Sequence, residues 1–183
     1  MHRDKIHRLL AAYRAIDPED QRRLVETQQF VERYPACFER ELPVGHVTGS
    51  AWIVSPDRRQ ALLTHHRKLE MWVQLGGHAD GDPDIFAVSL REGIEESGLT
   101  RLTPLSKNIF DISIHRIPAN KDTPAHYHYD VRFIFEADPE EALVVSAESK
   151  ALAWVPLERI HDFQVDASVL RMVRKTQQGQ IPD

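Results

Sequence analysis

The chain has 183 residues, 42% hydrophobic and 28% charged, with a formal net charge of −5. That is enough for one domain with a sizeable core, in a soluble globular class. No run of lysine and arginine tracks a nucleic-acid backbone, so stable nucleic-acid binding is not expected.

Residues 3–16 and 18–33 read as helices. Asp17 is the expected N-cap of the second and Pro18 its first residue, while Tyr34-Pro35 ends it because the residue before proline leaves the α region. These helices define an N-terminal appendage, residues 1–43, expected to serve packing or homodimerisation. The opening "MHRDKIHRLLAAYRA" carries charges where a signal peptide is apolar. No apolar run approaches the ~20 residues that span a bilayer, and the expectation is a cytoplasmic protein without a membrane partner. The single cysteine, Cys37, excludes an internal disulfide and reads as a small buried hydrophobe.

From about Val44 the pattern changes to strands. "HVTGSAWIV" and "QALLTHH" flank a turn at Pro56-Asp57, as in a hairpin. A glycine-rich loop and a helix follow, then "NIFDISIHRI", "AHYHYDVRFIFEA" and "ALAWVPL", with helical stretches near 157–162 and 166–177. Strands around one central helix imply a mixed sheet packed between helices.

The central helix is expected from Pro83 to Ser97, with Asp82 as N-cap and Gly98 as stop. Phe86, Leu90, Gly93, Ile94 and Ser97 share the packing side. Glu92, Glu95 and Glu96 stand opposite at i, i+3 and i+4, where like charges repel. A hard divalent cation such as Mg²⁺ or Mn²⁺ would relieve that repulsion; a solvated acidic face is the competing reading. Gly93, costly by ~1 kcal/mol inside a helix, implies close approach of helix to sheet.

The stretch "GGHADGDPDIFAVSLREGIEESGL" resembles the signature of the Nudix hydrolases. Gly77 matches the first glycine of that box, and Arg91, Glu92, Glu95, Glu96, Gly98 and Leu99 match its second half. Gly93 replaces an aliphatic residue, and Pro83 stands where the box has its first glutamate. The resemblance implies an α/β fold, a Nudix-like α/β/α sandwich with a mixed sheet over residues 44–183. It further implies a metal-dependent hydrolase that cleaves the diphosphate linkage of a nucleotide-type substrate, X–P–P–Y, by water attack. Glu92, Glu95 and Glu96 would hold Mg²⁺ or Mn²⁺ with the carbonyl of Gly76, and Arg91 would orient a glutamate. Gly77 and Asp82 would support the loop, and Glu148 is the candidate base from a later loop. The alternative is a catalytically weak Nudix-fold nucleotide-binding or regulatory module. An isopentenyl-diphosphate-isomerase-like enzyme ranks below both, since Cys37 lies far from the box.

Strand alternation places Asp111, Ser113 and His115 on one face, and His126, His128, Asp130 and Arg132 on one face of the next strand. Three readings stand: solvated strand faces, a substrate pocket lined by His115, His126, His128 and Arg132, or a zinc site built on the H-x-H spacing. Upstream, Arg67, with His65, His66 and Lys68, stands just before the glycine loop, where contact with phosphates competes with a solvated turn, the favoured reading for most of them.

Overall fold

The computed structural model describes every residue except Met1, Asn120, Asp122 and Glu148. Its helices are α1 (Asp4–Ala12), α2 (Pro18–Arg33), α3 (Ile85–Ser97) and α4 (Ala167–Gln177), with a 3₁₀ helix at Leu157–Asp162. Its strands are β1 (Gly45–Val54), β2 (Gln60–His66), β3 (Met71–Val73), β4 (Leu75–His78), β5 (Thr103–Pro104), β6 (Asp111–Ile117), β7 (His126–Glu136) and β8 (Ser149–Pro156).

β1 organises the sheet. β7 runs parallel to it along its whole length, from Gly45 opposite Tyr127 to Val54 opposite Glu136. On the other side β4 pairs with the middle of β1, from Thr48 to Ala51, and β2 with its end. β8 and β3 flank β2, while β6 and the short β5 pair antiparallel with β7. The expected hairpin between β1 and β2 is present, closed by the Ser55 N–H donating to the Gln60 carbonyl.

Alternation along β1 and β7 divides the core between two faces. Val47, Ala51, Ile53, Val131, Phe133 and Phe135 lie in one cluster, against α3 and the N-terminal helices. Trp52, Val54 and Ile134 lie in the other, packed with Val169, Met172 and Val173 of α4. The result is a mixed sheet between helical layers. Residues 1–43 share the first cluster through Ile6, Leu10, Leu24, Phe30, Val31, Cys37 and Phe38. Phe30 stacks on Tyr129 with ring centroids 3.9 Å apart. Cys37 is fully buried, and burial pushes its thiol up to about 11, which suits a packing residue.

Asp17 caps α2 as expected, accepting the Asp20 N–H at 2.7 Å, with Pro18 opening the helix. α1 stops at Ala12, short of the expected residue 16. Buried Asp20 explains the early end, because it accepts from the Tyr13 hydroxyl at 2.8 Å and from the Ile16 N–H at 3.1 Å. Those bonds hold the linker in a non-helical path. Among the described residues no helix is long and apolar enough to cross a membrane.

Candidate active site

α3 lies on the sheet at close range because the contact is made by residues without bulk. A Cβ on Gly93 would stand 2.7 Å from Leu102 Cδ1 and 2.9 Å from the Ala51 Cβ. On the strand side, a Cβ on Gly49 would meet the Ile85 carbonyl at 3.0 Å. The close approach expected from a mid-helix glycine is therefore present. Gly98, in the left-handed region at φ 73°, ends the helix with its N–H on the Ile94 carbonyl.

The other end differs from expectation. Asp84, not Asp82, is the N-cap: its carboxylate accepts the Ala87 N–H at 3.2 Å, and the helix starts at Ile85 with Pro83 outside it. Asp82 accepts the Asp84 N–H at 2.9 Å, forming a turn within the loop. That leaves Asp84 to cap, and Lys5 of α1 pairs with it at 2.5 Å. Two more contacts tie the loop to the N-terminal segment. The Gly81 N–H donates to the Phe38 carbonyl at 3.0 Å. Arg40 makes a two-pronged pair with Asp80 at 2.5 and 2.6 Å.

The three glutamates do not stand on a uniformly wet face. Glu95 is exposed, but Glu92 and Glu96 are half-buried against β4. Glu96 Oε2 accepts the Gly76 N–H at 2.9 Å. Glu92 Oε2 lies where a side chain on Gly77 would begin, 2.4 Å from an added Cβ. Arg91 Nη2 donates to Glu92 Oε1 at 3.1 Å and to the His78 carbonyl at 3.4 Å. Burial raises the Glu92 carboxyl; Arg91 opposes the rise, and the charges of Glu95 and Asp80 add to it. Glu92 and Glu96 are thus each held against the glycine backbone of β4, and both offer carboxylate oxygens, the donor type that a hard divalent cation takes. Glu148 lies outside the described residues.

The polar strand faces do meet: Asp111 pairs with Arg132, Ser113 with Asp130 and His115 with His128. They are not a solvated surface, because Asp111, Ser113, Asp130 and Arg132 are all buried. Arg132 is fully buried, with Nε on Asp130 at 2.7 Å, Nη1 on Asp111 at 3.4 Å and Nη2 at 3.0 Å from His115 Nε2. Thr48, Ser50 and Gln74 donate to the same Asp130. From α4, Arg171 and Lys175 reach Asp111 at 2.7 and 3.0 Å. Arg132 and His115 thus belong to an internal network, where a soluble substrate does not reach the guanidinium. Arg67 is exposed and donates to the carbonyls of Ala147 and Ser149 at 3.2 and 3.0 Å. His126 and His128 lie with two residues that sequence reasoning missed, His46 and His78. Alternation from Trp52 back through Ser50 and Thr48 to His46 was the available signal.

A mixed sheet with α3 held on it by a glycine-rich strand and loop is the Nudix fold. Among solved structures, a Nudix hydrolase from M. smegmatis, RenU, superposes with a TM-score of 0.54 at 17% identity, over 74% of this chain and 86% of that one. A C. elegans Ap4A hydrolase matches with a TM-score of 0.52 at 17% identity, over 73% and 96% of the two chains. The Nudix domain of Shewanella oneidensis NrtR, complexed with ADP ribose, matches at 0.53 and 16% identity, over 83% and 97%. No family model and no curated protein matches the sequence. At these identities the likeness establishes the fold.

Proposed function

We propose that the chain is a hydrolase of diphosphate linkages in nucleotide-type substrates, dependent on Mg²⁺ or Mn²⁺. The observation that carries the reading is the packing of Glu92 and Glu96 into the Gly76–Gly77 backbone beside Arg91. A bound dication would neutralise diphosphate oxygens and lower the pKa of an attacking water. Glu92, Glu95, Glu96 and the Gly76 carbonyl are the residues that would hold it. Arg91 holds Glu92 in place through a charge-assisted hydrogen bond, and the Gly76 N–H holds Glu96. Both carboxylates are thereby fixed before any ion arrives, which limits reorganisation during reaction.

Pro83 occupies the position of the box's first glutamate. The N-terminal segment supplies support to that loop instead, through Lys5–Asp84, Arg40–Asp80 and the Phe38 carbonyl. An Ap4A hydrolase and an ADP-ribose-bound domain among the similar folds support a nucleotide-type X–P–P–Y substrate.

The test is phosphate or monoester release from nucleotide sugars, dinucleotides, dinucleoside polyphosphates and nucleoside triphosphates with Mg²⁺ or Mn²⁺. The expected outcome is turnover of at least one class, abolished by chelator and reduced on the order of 100-fold in Glu96→Gln. Turnover by no substrate, or full activity in Glu96→Gln, overturns the reading and leaves a binding module.

A further inference from the structure

Four imidazoles gather on the sheet face opposite α3. Gly77, across from Gly49 on β1, faces the helix, so its neighbour His78, across from Thr48, faces the other way. His46 lies two residues before Thr48 on that same face, directly across from His128 of β7. The His46 ring centroid is 4.6 Å from His128, 5.0 Å from His78 and 5.2 Å from His126. His78 and His126 each lie close to His128, at 5.2 and 5.1 Å.

The pattern of hydrogen bonds is that of ligands. His46 is 2% exposed, and both of its ring nitrogens are buried without a partner. A neutral imidazole carries one N–H and one lone pair, so burying both unmet costs free energy that a bound ion would recover. The carbonyl of Pro124, 2.9 Å from His126 Nδ1, fixes the proton there and leaves the lone pair on Nε2. That second-shell arrangement is typical of metal-bound histidine. His126 Nε2 and His128 Nε2 are 3.2 Å apart, near the ~3.4 Å that two nitrogens take on a tetrahedral ion at ~2.1 Å.

We propose that His46, His78 and His128, whose ligand atoms lie within 4.8 Å of one another, form with the adjacent His126 a site for a transition-metal dication of the Zn²⁺ class. The site is separate from the carboxylates of α3 and different in kind. All-imidazole donors select Zn²⁺, Co²⁺ or Ni²⁺ over Mg²⁺, which seeks oxygen. An ion there would brace the end of β4, the strand whose glycines cradle Glu92 and Glu96.

The test uses the full chain without an affinity tag, stripped of metal and titrated with Zn²⁺ against a chromophoric chelator in excess Mg²⁺. The expected result is one tight equivalent per chain that Mg²⁺ does not displace, with a visible d–d spectrum when Co²⁺ replaces Zn²⁺. Zn²⁺ also raises the melting temperature of the wild type. His78→Asn and His128→Asn, at half-buried positions, each weaken Zn²⁺ binding by about tenfold or more, whereas Glu96→Gln leaves it unchanged. Absence of Zn²⁺ uptake by the wild type overturns the proposal without reference to any variant. So does unaltered uptake in both histidine variants, or loss of uptake in Glu96→Gln. Because the readout is metal binding, it stands whether or not a substrate for the carboxylate site is found.

Discussion

Gly93 sits in mid-helix, where glycine costs about 1 kcal/mol relative to alanine, yet an added Cβ would press on the Ala51 Cβ at 2.9 Å. Ala51 has no torsion with which to give way, so the overpacking cost of about 1–3 kcal/mol outweighs the gain in propensity. Gly93→Ala is expected to destabilise the protein by up to about 2 kcal/mol in urea unfolding. Gly77→Ala acts on a different quantity, because its Cβ would fall on the Glu92 carboxylate, a side-chain end that can move. Its expected signature is a weakened response of activity to Mg²⁺, with the melting temperature nearly unchanged. The role of Gly93 was within reach of the sequence, since a glycine on the apolar stripe of a helix marks a place where the helix backbone comes close to its neighbour. The placement of Arg132 was not. Alternation puts it on the polar face, but only the docking of α4 decides that this face is covered.

At the scale of elements, the start of α3 shows how two adjacent local signals compete. Asp82 and Asp84 flank Pro83, and either can cap a helix. The choice falls on Asp84 because Asp82 accepts the Asp84 N–H and because Lys5, some eighty residues upstream, pairs with Asp84. The second cause is a long-range contact that no window of sequence contains. The helix end at Gly98, the cap at Asp17 and the β6–β7 pairing were legible because each depends on a few neighbouring residues. Asp84→Ala removes the cap and the Lys5 contact together, and is expected to cost about 0.5–2 kcal/mol. Asp82→Ala, which loses only the turn inside the loop, is expected to cost less. Parallel urea melts of the two variants measure the order, and a larger loss in Asp82→Ala would return the cap to Asp82.

Across the whole molecule, a charged network joins the N-terminal helices, the sheet and α4. Among the described residues, the buried carboxylates Asp20, Asp111 and Asp130 balance the buried cations Arg132, Arg171 and Lys175. Lys175 touches both Asp111 and the Tyr13 hydroxyl, and Tyr13 in turn donates to Asp20. Burial by itself would raise the Asp111 carboxyl, but the Arg171 hydrogen bonds and the charges of Lys175 and Arg132 hold it below its ordinary 3.8. Asp130 is likewise held below 3.8, with burial opposed by Arg132, His115 and Ser50. A depressed carboxyl contributes stability that is present above the unfolded pKa and lost as pH falls through the folded one. Each group therefore adds at most about 1.4 kcal/mol per pH unit to the loss of stability, between its unfolded value near pH ~4 and its lower folded one. Asp111→Asn leaves three cations facing a neutral amide, and its expected cost at neutral pH is about 3–5 kcal/mol. The same variant should show a shallower acid dependence, because one of the buried carboxyls held below its ordinary value is gone. Urea unfolding of wild type and variant between pH 2 and 7 measures both effects; parallel slopes below pH ~4 would remove Asp111 from the acid response.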